Sequence, residues 1–160
     1  MNYLLYGTND YVMNTESKKI ITSNKINKDE IINYDYTEIG IKDIIEDANT
    51  IPLFSDKKTI IIDNCTLFES TSKKEETSIL ETYLNNPNQN TILIFLEHTD
   101  KLDERKKIFK ILKEKKQIIE CNTLNINNLV KEQLQDYKIN QTTINNLINR
   151  VGTNPYNLIN

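Results

Sequence analysis

The sequence predicts an α/β fold, in which an open parallel β-sheet flanked by helices is followed by an all-helical segment. As far as Cys121, short apolar runs alternate with segments of helical periodicity. Residues 59–63 are β-branched and almost wholly apolar, which is typical of a central strand covered on both faces. After Cys121 only helical patterns occur. Repeated strand-then-helix units joined by short polar turns favour a parallel sheet over an antiparallel one.

The first half of the chain supplies two predicted strands and two helices. Residues 3–6 predict a strand that ends at Gly7, and Thr8 is the expected cap of the next helix. Residues 31–36 predict the second strand. The second helix begins near Ile41, and its apolar residues fall at i, i+3, i+4 and i+7, so one face is directed at a core. That stripe comprises Ile41, Ile44, Ile45 and Ala48.

The second half of the sheet follows from the same alternation. Residues 59–63 and 91–96 predict two buried strands, and residues 117–120 are the last strand candidate. A helix between the first two carries the stripe Ile79, Leu80, Tyr83 and Leu84 and ends before Asn85-Asn86-Pro87. A further helix is predicted over residues 102–113.

The helical segment has its own start and stop signals. Apolar residues at helical spacing recur from Leu129 to Leu134 and from Ile144 to Val151, and Gly152 is a suitable C-cap. Asn154 followed by Pro155 predicts the start of another helix. Because the sequence stops within the first turns of that helix, we expect it to be a piece of a longer protein.

Composition limits the classes of protein that fit. A chain of 160 residues with 38% apolar content can bury one core with a small appendage, and it needs no disulfide or structural metal. The net charge of −3 gives no sign of a basic binding surface. Cys65 and Cys121 lack a spacing pattern and are expected to be reduced and half-buried. With no signal peptide and no apolar run of membrane-spanning length, we expect a cytoplasmic protein without membrane contact.

The nucleotide-binding motifs of parallel α/β proteins are missing from the sequence. A phosphate-binding loop needs a glycine-rich turn that ends in Gly-Lys-Ser/Thr, whereas the first turn here reads Tyr6-Gly7-Thr8-Asn9-Asp10. The chain contains only three glycines, and the carboxylate of Asp10 would repel a phosphate. Walker-type ATPases and dinucleotide-dependent dehydrogenases are therefore excluded, and we expect no cofactor.

Two polar positions follow predicted strands and leave an enzyme as an alternative. Asp63 follows the central strand where an ATPase carries its magnesium ligand, but Asn64 stands in the place of the catalytic acid. His98 is the single histidine and follows the strand over residues 91–96, at the sheet edge where active sites open. No recognisable serine or cysteine motif accompanies it, so a surface histidine is the simpler interpretation. We expect no catalytic residue and no metal site.

Residues 101–116 contain eight basic and three acidic residues, a local balance of +5. Such a segment can follow a phosphate backbone electrostatically, and a nucleic-acid-binding module is thus a second alternative. The opposing interpretation is the solvated outer face of a helix, since Phe109 is the only aromatic residue in the run. The candidate phosphate contacts are Lys101, Arg105, Lys106 and Lys107.

The most informative segment lies after the second predicted helix. Residues 51–54, Ile-Pro-Leu-Phe, form an apolar tip that falls outside the phase of the preceding helical stripe. At about 100° per residue, Leu53 and Phe54 would project more than 90° away from that stripe if the helix continued. The tip is then either a docking element or, as hydrophobes near helix ends commonly are, part of the core. Periodicity leaves both interpretations open, because Pro52 resets the phase.

Motifs along the whole chain resemble the delta subunit of bacterial DNA polymerase III, which opens the sliding clamp. Each motif carries little information, but their order and spacing are specific together. One departure is Ile51, where several relatives have Met; Ile is stiffer at χ1 and gives a less adaptable contact. The resemblance rests on residues 3–7, Asp35-Tyr36, residues 50–55, residues 60–64, Leu84, Pro87, residues 101–103, residues 105–107, Gly152, Leu158 and Asn160.

The resemblance implies an AAA+-like domain over residues 1–138 that lacks ATPase motifs and a P-loop. Residues 139–160 would begin a helical lid domain, and the family's C-terminal collar domain would be absent. Implied partners are the sliding clamp (beta subunit), the ATPase subunits of the clamp loader and, through that complex, primed DNA. The chain would have no intrinsic activity but would belong to the nucleotidyltransferase holoenzyme of DNA replication. The implied clamp-binding residues are Ile51, Pro52, Leu53 and Phe54.

Overall fold

The computed structural model of the protein describes residues 1–52, 56–134 and 137–159, without the side chains of Asn128, Glu132 and Ile159. Strands and helices alternate as the sequence predicts. The strands are β1 (Asn2–Tyr6), β2 (Ile31–Asp35), β3 (Lys58–Asp63), β4 (Thr91–Glu97) and β5 (Ile118–Glu120). The helices are α1 (Asp10–Ser23), α2 (Ile41–Ala48), α3 (Lys74–Asn85), α4 (Lys107–Glu114), α5 (Ile126–Gln133), α6 (Gln141–Val151) and α7 (Pro155–Ile159), with a short 3₁₀ turn at Lys28–Glu30.

The five strands form one sheet in the order β2-β3-β4-β1-β5, and every neighbouring pair is parallel. The predicted parallel sheet flanked by helices is confirmed. β1 lies between β4 and β5, so the strand order reverses beside β1. In open parallel sheets the crevice for ligands lies at such a reversal, outside the carboxyl ends of the strands.

Alternate residues of the strands face two separate apolar layers. Leu4, Ile60 and Phe95 point into the larger layer, which α2, α3 and α4 cover, while Leu5 and Ile94 point into the smaller layer under α1. All seven residues of β4 are buried, as expected for a central strand covered on both faces. The segment between β3 and α3 also enters the larger layer, where the rings of Phe68 and Phe95 meet edge to face with centroids 5.6 Å apart.

Two local predictions were wrong. The first helix is capped by Asn9, not Thr8, because the Asn9 side chain accepts a hydrogen bond from the backbone N–H of Val12 at 3.2 Å. The Thr8 N–H is instead used by the side chain of Asn122. Helix α4 begins at Lys107 rather than at residue 102, because the preceding residues form a turn in which the Lys106 N–H donates to the Asp103 carbonyl at 3.1 Å.

The chain divides into two compact units, Met1–Asn122 and Thr123–Asn160. The first contains the sheet with α1 to α4, and the second contains α5, α6 and α7, so the change to helices after Cys121 coincides with the division. The first unit ends at Asn122 rather than at residue 138, because α5 contacts α6 and α7 and therefore belongs to the second unit. The domain boundaries 1–138 and 139–160 stay a prediction.

Capping in the helical unit follows the sequence signals. Gly152 is the C-cap of α6, at a φ of +88° that favours glycine. The Asn154 side chain accepts from the Tyr156 N–H at the start of α7.

Within the described ranges, no helix has the length and apolarity needed to cross a membrane. Cys65 and Cys121 are free thiols, and both are fully buried rather than half-buried.

Candidate functional site

Ile51 and Pro52, the described residues of the predicted clamp-binding tip, follow the end of α2 at the amino edge of the sheet. The stripe of α2 is buried, with Ile41 and Ile44 at most 1% exposed. Ile51, three residues beyond the end of that helix, is 75% exposed, and Pro52 is half-buried. The core therefore does not enclose Ile51. Leu53 and Phe54 lie outside the described residues.

At the opposite edge, three consecutive backbone amides of the first turn donate to acceptors within the chain. The Gly7 N–H donates to the Glu97 carbonyl at 3.1 Å, and the Asn9 N–H donates to the Cys121 carbonyl at 3.0 Å. Between them, the Thr8 N–H donates to Oδ1 of Asn122 at 3.0 Å. A phosphate-binding turn directs such amides at its ligand. Here the amides of Gly7, Thr8 and Asn9 donate to acceptors of the chain itself and are not directed at a ligand.

His98 contacts two carboxylates at the carboxyl edge of the sheet. Its Nδ1 lies 3.0 Å from Oδ1 of Asp10, the first residue of α1, and its Nε2 lies 2.7 Å from Oδ1 of Asp63 at the end of β3. An ionised carboxylate only accepts hydrogen bonds, so the two contacts favour a doubly protonated imidazolium. No ring nitrogen is then left to deprotonate a nucleophile. The described residues contain no cluster of three or more His, Cys, Asp or Glu that could hold a metal ion.

The His98 bridge makes a prediction for the single histidine of the chain. Partial burial acts to lower the pKa of His98, but the contacts with Asp63 and Asp10 outweigh it and raise the pKa above 6.5. A raised folded-state pKa adds stability at low pH that is lost as the pH rises through it. We expect an NMR titration of the imidazole to give a pKa above 6.5, and Asp63→Asn to lower it. An unchanged value in Asp63→Asn would show that the bridge does not form.

Glu97, the last residue of β4, is a buried carboxyl group that the sequence analysis missed. It is 0% exposed, and neither carboxyl oxygen has a hydrogen-bond partner of standard geometry among the described residues. Burial, with the nearby charge of Glu69, raises the pKa of Glu97 to about 8 against the opposing effect of Lys106. The carboxyl is thus mostly protonated at neutral pH. Its signal in the sequence is a charged residue that directly continues a wholly apolar strand.

Glu97→Gln is expected to remove a pH dependence of stability. Between the ordinary pKa of 4.5 and the folded value of about 8, the folded protein holds one more proton than the unfolded chain. Stability therefore falls as the pH rises through that window. We expect the glutamine variant to gain stability relative to the parent between pH 5 and pH 8.5, measured by urea unfolding. A difference that stays constant over this range would contradict a buried, protonated Glu97.

The candidate phosphate contacts on and before α4 are largely engaged within the chain. Arg105 pairs with Asp103 at 2.8 Å, and Lys107 pairs with Glu81 at 3.0 Å. Nζ of Lys106 donates to the Leu67 carbonyl at 2.9 Å and to the hydroxyl of Ser72. Lys101 is exposed. Three of the four side chains thus already have acceptors within the chain. DNA contact by these residues stays a prediction.

These features define a class of protein: a parallel α/β sheet in which acceptors of the chain engage three amides of the first turn, and in which Ile51, between α2 and β3, is exposed. Residues 3–122 match the family model "DNA polymerase III, delta subunit", and the chain belongs to that family. It is 29% identical over 130 residues to the DNA polymerase III subunit delta of Bacillus subtilis, an alignment that covers 77% of this chain and 38% of that protein.

Solved structures show the same similarity. The Bacillus subtilis DNA clamp loader delta protein aligns with a TM-score of 0.77 and 25% identity, over 99% of this chain and 50% of that one. A gamma subunit-related protein of DNA polymerase III from Thermotoga maritima aligns with a TM-score of 0.53 over 96% of this chain and 48% of its own. At 12% identity the second match shows the fold alone. The chain thus spans half the length of these relatives or less.

Proposed function

We propose that this chain acts in the DNA polymerase III clamp loader as the clamp-binding part of a delta subunit. It binds the sliding clamp through Ile51, Pro52, Leu53 and Phe54 and helps to open the ring for loading onto primed DNA. Family membership supports a place in the clamp-loader complex. The observation that carries the proposal is the 75% exposure of Ile51 next to a helix whose apolar stripe is already buried.

An apolar tip of this kind suits a cavity on a folded partner. Burying two large side chains such as Leu53 and Phe54 stabilises a complex by roughly 3–6 kcal/mol before the costs of association are subtracted. An aromatic residue beside an aliphatic one is a common binding hot spot. The ring opens if the tip and the end of α2 bind the open or strained clamp interface more tightly than the closed one.

The proposed role includes no nucleotide chemistry in this chain. The amides of Gly7, Thr8 and Asn9 already donate within the chain, and both nitrogens of His98 contact carboxylates. ATP hydrolysis belongs to the ATPase subunits of the loader, which expose or hide the tip. An enzyme using Asp63 and His98 has little support, because no ring nitrogen remains to act as a base. Direct DNA contact through Lys101, Arg105, Lys106 and Lys107 has less support than clamp binding.

Calorimetric titration of this chain with the cognate sliding clamp tests the proposal. We expect saturable binding that is unchanged by MgATP, and no rise in the melting temperature of this chain with MgATP alone. A nucleotide-dependent rise would instead favour the enzyme alternative. Affinity for primed DNA that falls steeply with salt, without affinity for the clamp, would favour the nucleic-acid-binding alternative. Absence of any clamp binding would contradict the proposal.

A further inference from the structure

An ion pair between a buried lysine and a half-buried aspartate lies where the chain leaves α2 and enters β3. Lys58, the first residue of β3, is only 3% exposed, although lysine is almost never buried without partners. Its Nζ lies 2.9 Å from Oδ1 of Asp47 on α2. The same ammonium donates to the backbone carbonyl of Asp47 at 2.6 Å and to Oγ1 of Thr50 at 2.6 Å. All three donors of Lys58 are therefore used.

The groups around this ammonium form a closed network. Oδ2 of Asp47 accepts from the Tyr34 hydroxyl of β2 at 3.1 Å. The Thr50 hydroxyl donates to the Asp47 carbonyl at 2.8 Å and contacts its Oδ1 at 3.2 Å. Although burial acts to raise the pKa of Asp47, the hydrogen bonds from Lys58, Tyr34 and Thr50 outweigh it and lower the pKa. We call Tyr34, Asp47, Thr50 and Lys58 the base network.

The base network fixes both ends of the segment that contains the tip. Thr50 immediately precedes Ile51, and Lys58 follows the segment, yet their side chains are in direct contact. The end of α2 is held a second time, because the Ala48 carbonyl accepts from the Thr91 hydroxyl at 2.8 Å and from Nδ2 of Asn88 at 3.0 Å. A cation at a helix C-terminus also interacts favourably with the last carbonyls. The chain thus leaves α2 and enters β3 at two fixed points.

The ion pair between Lys58 and Asp47 is better explained by the geometry that it fixes than by the stability that it adds. A buried ion pair is a weak source of stability, because desolvation of both charges offsets their attraction, and apolar side chains of similar volume commonly serve as well. What an ion pair with fixed hydrogen bonds supplies is geometry. Rigidifying a binding segment in its bound arrangement increases affinity by reducing the entropy lost on association.

We infer that the base network of Tyr34, Asp47, Thr50 and Lys58 is a positioning device that pre-organises the segment after α2 for the sliding clamp. The inference rests on the proposed clamp-binding function and adds residues that do not themselves touch the clamp. The Thr50 hydroxyl is its most testable member. It accepts from Lys58 and donates to Asp47, yet Thr50 is exposed, so its removal leaves no cavity in the core.

The test compares Thr50→Val, which removes the hydroxyl but keeps the shape, with Thr50→Ser, which keeps the hydroxyl. We expect Thr50→Val to bind the clamp about tenfold more weakly, as the loss of charge-assisted hydrogen bonds predicts. Thr50→Ser should restore most of the affinity. Thr37→Val is the matched control, because Thr37 is also exposed and its hydroxyl donates to the Asp35 carboxylate at the other edge of the sheet. Thr37→Val should bind the clamp with the affinity of the parent.

Two further measurements separate positioning from general stability and from direct contact. Hydrogen exchange of the Thr50 and Lys58 amides should become faster in Thr50→Val than in Thr50→Ser, by more than the general loss of protection that follows from any fall in melting temperature. Clamp binding of Thr50→Val equal to that of the parent overturns the inference and leaves the proposed function standing. Absence of clamp binding by the parent overturns both. The inference is also overturned if the loss of clamp affinity in Thr50→Val is no larger than its loss of stability explains. A purely structural role of the Thr50 hydroxyl would then account for the result.

Discussion

Replacing Leu53 and Phe54 together by alanine is expected to abolish detectable clamp binding and to leave the fold almost intact. If both side chains enter a cavity on the clamp, truncation removes roughly 3–6 kcal/mol of apolar burial, which corresponds to a roughly 10²–10⁴-fold loss of affinity. Ile51, two residues before Leu53, is 75% exposed, which is consistent with a segment that leaves the core. Calorimetry with the cognate clamp, paired with thermal unfolding of each variant, measures both quantities.

The control for this prediction is an apolar side chain that is exposed elsewhere. Tyr137, in the helical unit, is 68% exposed, and Tyr137→Ala should bind the clamp like the parent. The double variant distinguishes the two interpretations of the tip that the sequence leaves open. If it unfolds far below the parent, by the several kcal/mol typical of large-to-small substitutions in a core, Leu53 and Phe54 belong to the interior and the clamp-binding role is wrong.

Gly7→Ala is expected to destabilise the sheet unit by about 3 kcal/mol and to lower its melting temperature by roughly 6–12 °C. Gly7 has a φ of +141°, which L side chains rarely adopt. A Cβ there would lie 2.6 Å from the backbone carbon and oxygen of Cys121 and 2.7 Å from the Asn122 side chain. Backbone atoms of a neighbouring strand cannot move aside cheaply, so strain and overlap add.

Gly40→Ala is the matched control, since a Cβ at Gly40 meets nothing within 4 Å and its φ of −71° is ordinary. We expect a change within about 1 kcal/mol, because Gly40 is an N-cap where alanine is slightly worse than glycine. Equal effects of the two substitutions, measured by urea unfolding, would show that the turn after β1 is not packed against the end of β5. In that case the argument for a closed phosphate-binding turn would fail as well.

The two edges of the sheet differ in the polar groups that they carry. The carboxyl edge, where parallel sheets normally bind ligands, carries the His98 bridge, the acceptors of the first turn and the buried Glu97. The proposed clamp-binding tip and its base network lie at the amino edge, where β3 and β4 begin. Analogy with nucleotide-binding members of the fold would therefore direct attention to the edge opposite the proposed site.

Much of the fold followed from periodicity. Buried strands such as β3 and β4 were predicted because wholly apolar β-branched runs have few alternatives, and the stripe of α2 was predicted because it repeats at helical spacing. The cap at Asn9 and the start of α4 were missed, because both depend on where one backbone amide finds its acceptor. Local sequence does not determine that choice when several polar residues stand side by side.

The candidate site also has features that could be predicted from the sequence and features that could not. The tip over residues 51–54 could be proposed from the sequence, because a short apolar run out of phase with its helix is a local pattern, and the lack of a glycine-rich loop is likewise visible along the chain. The base network and the His98 bridge could not, since each joins residues from separate strands and helices. Lys58 and Glu97 gave only weak signals, as charged residues at the ends of apolar strands.

The sequence by itself determined the layers of this protein, its strand and helix order and its family, because these depend on apolar spacing and on short motifs read along the chain. Only the tertiary structure decided which polar groups meet. Whether a lysine is solvated or buried against Asp47 depends on how β3 packs against α2, and whether a histidine is free or held between two carboxylates depends on strand order. Such contacts are long-range, and their strength comes from exclusion of water, which no local stretch of sequence specifies.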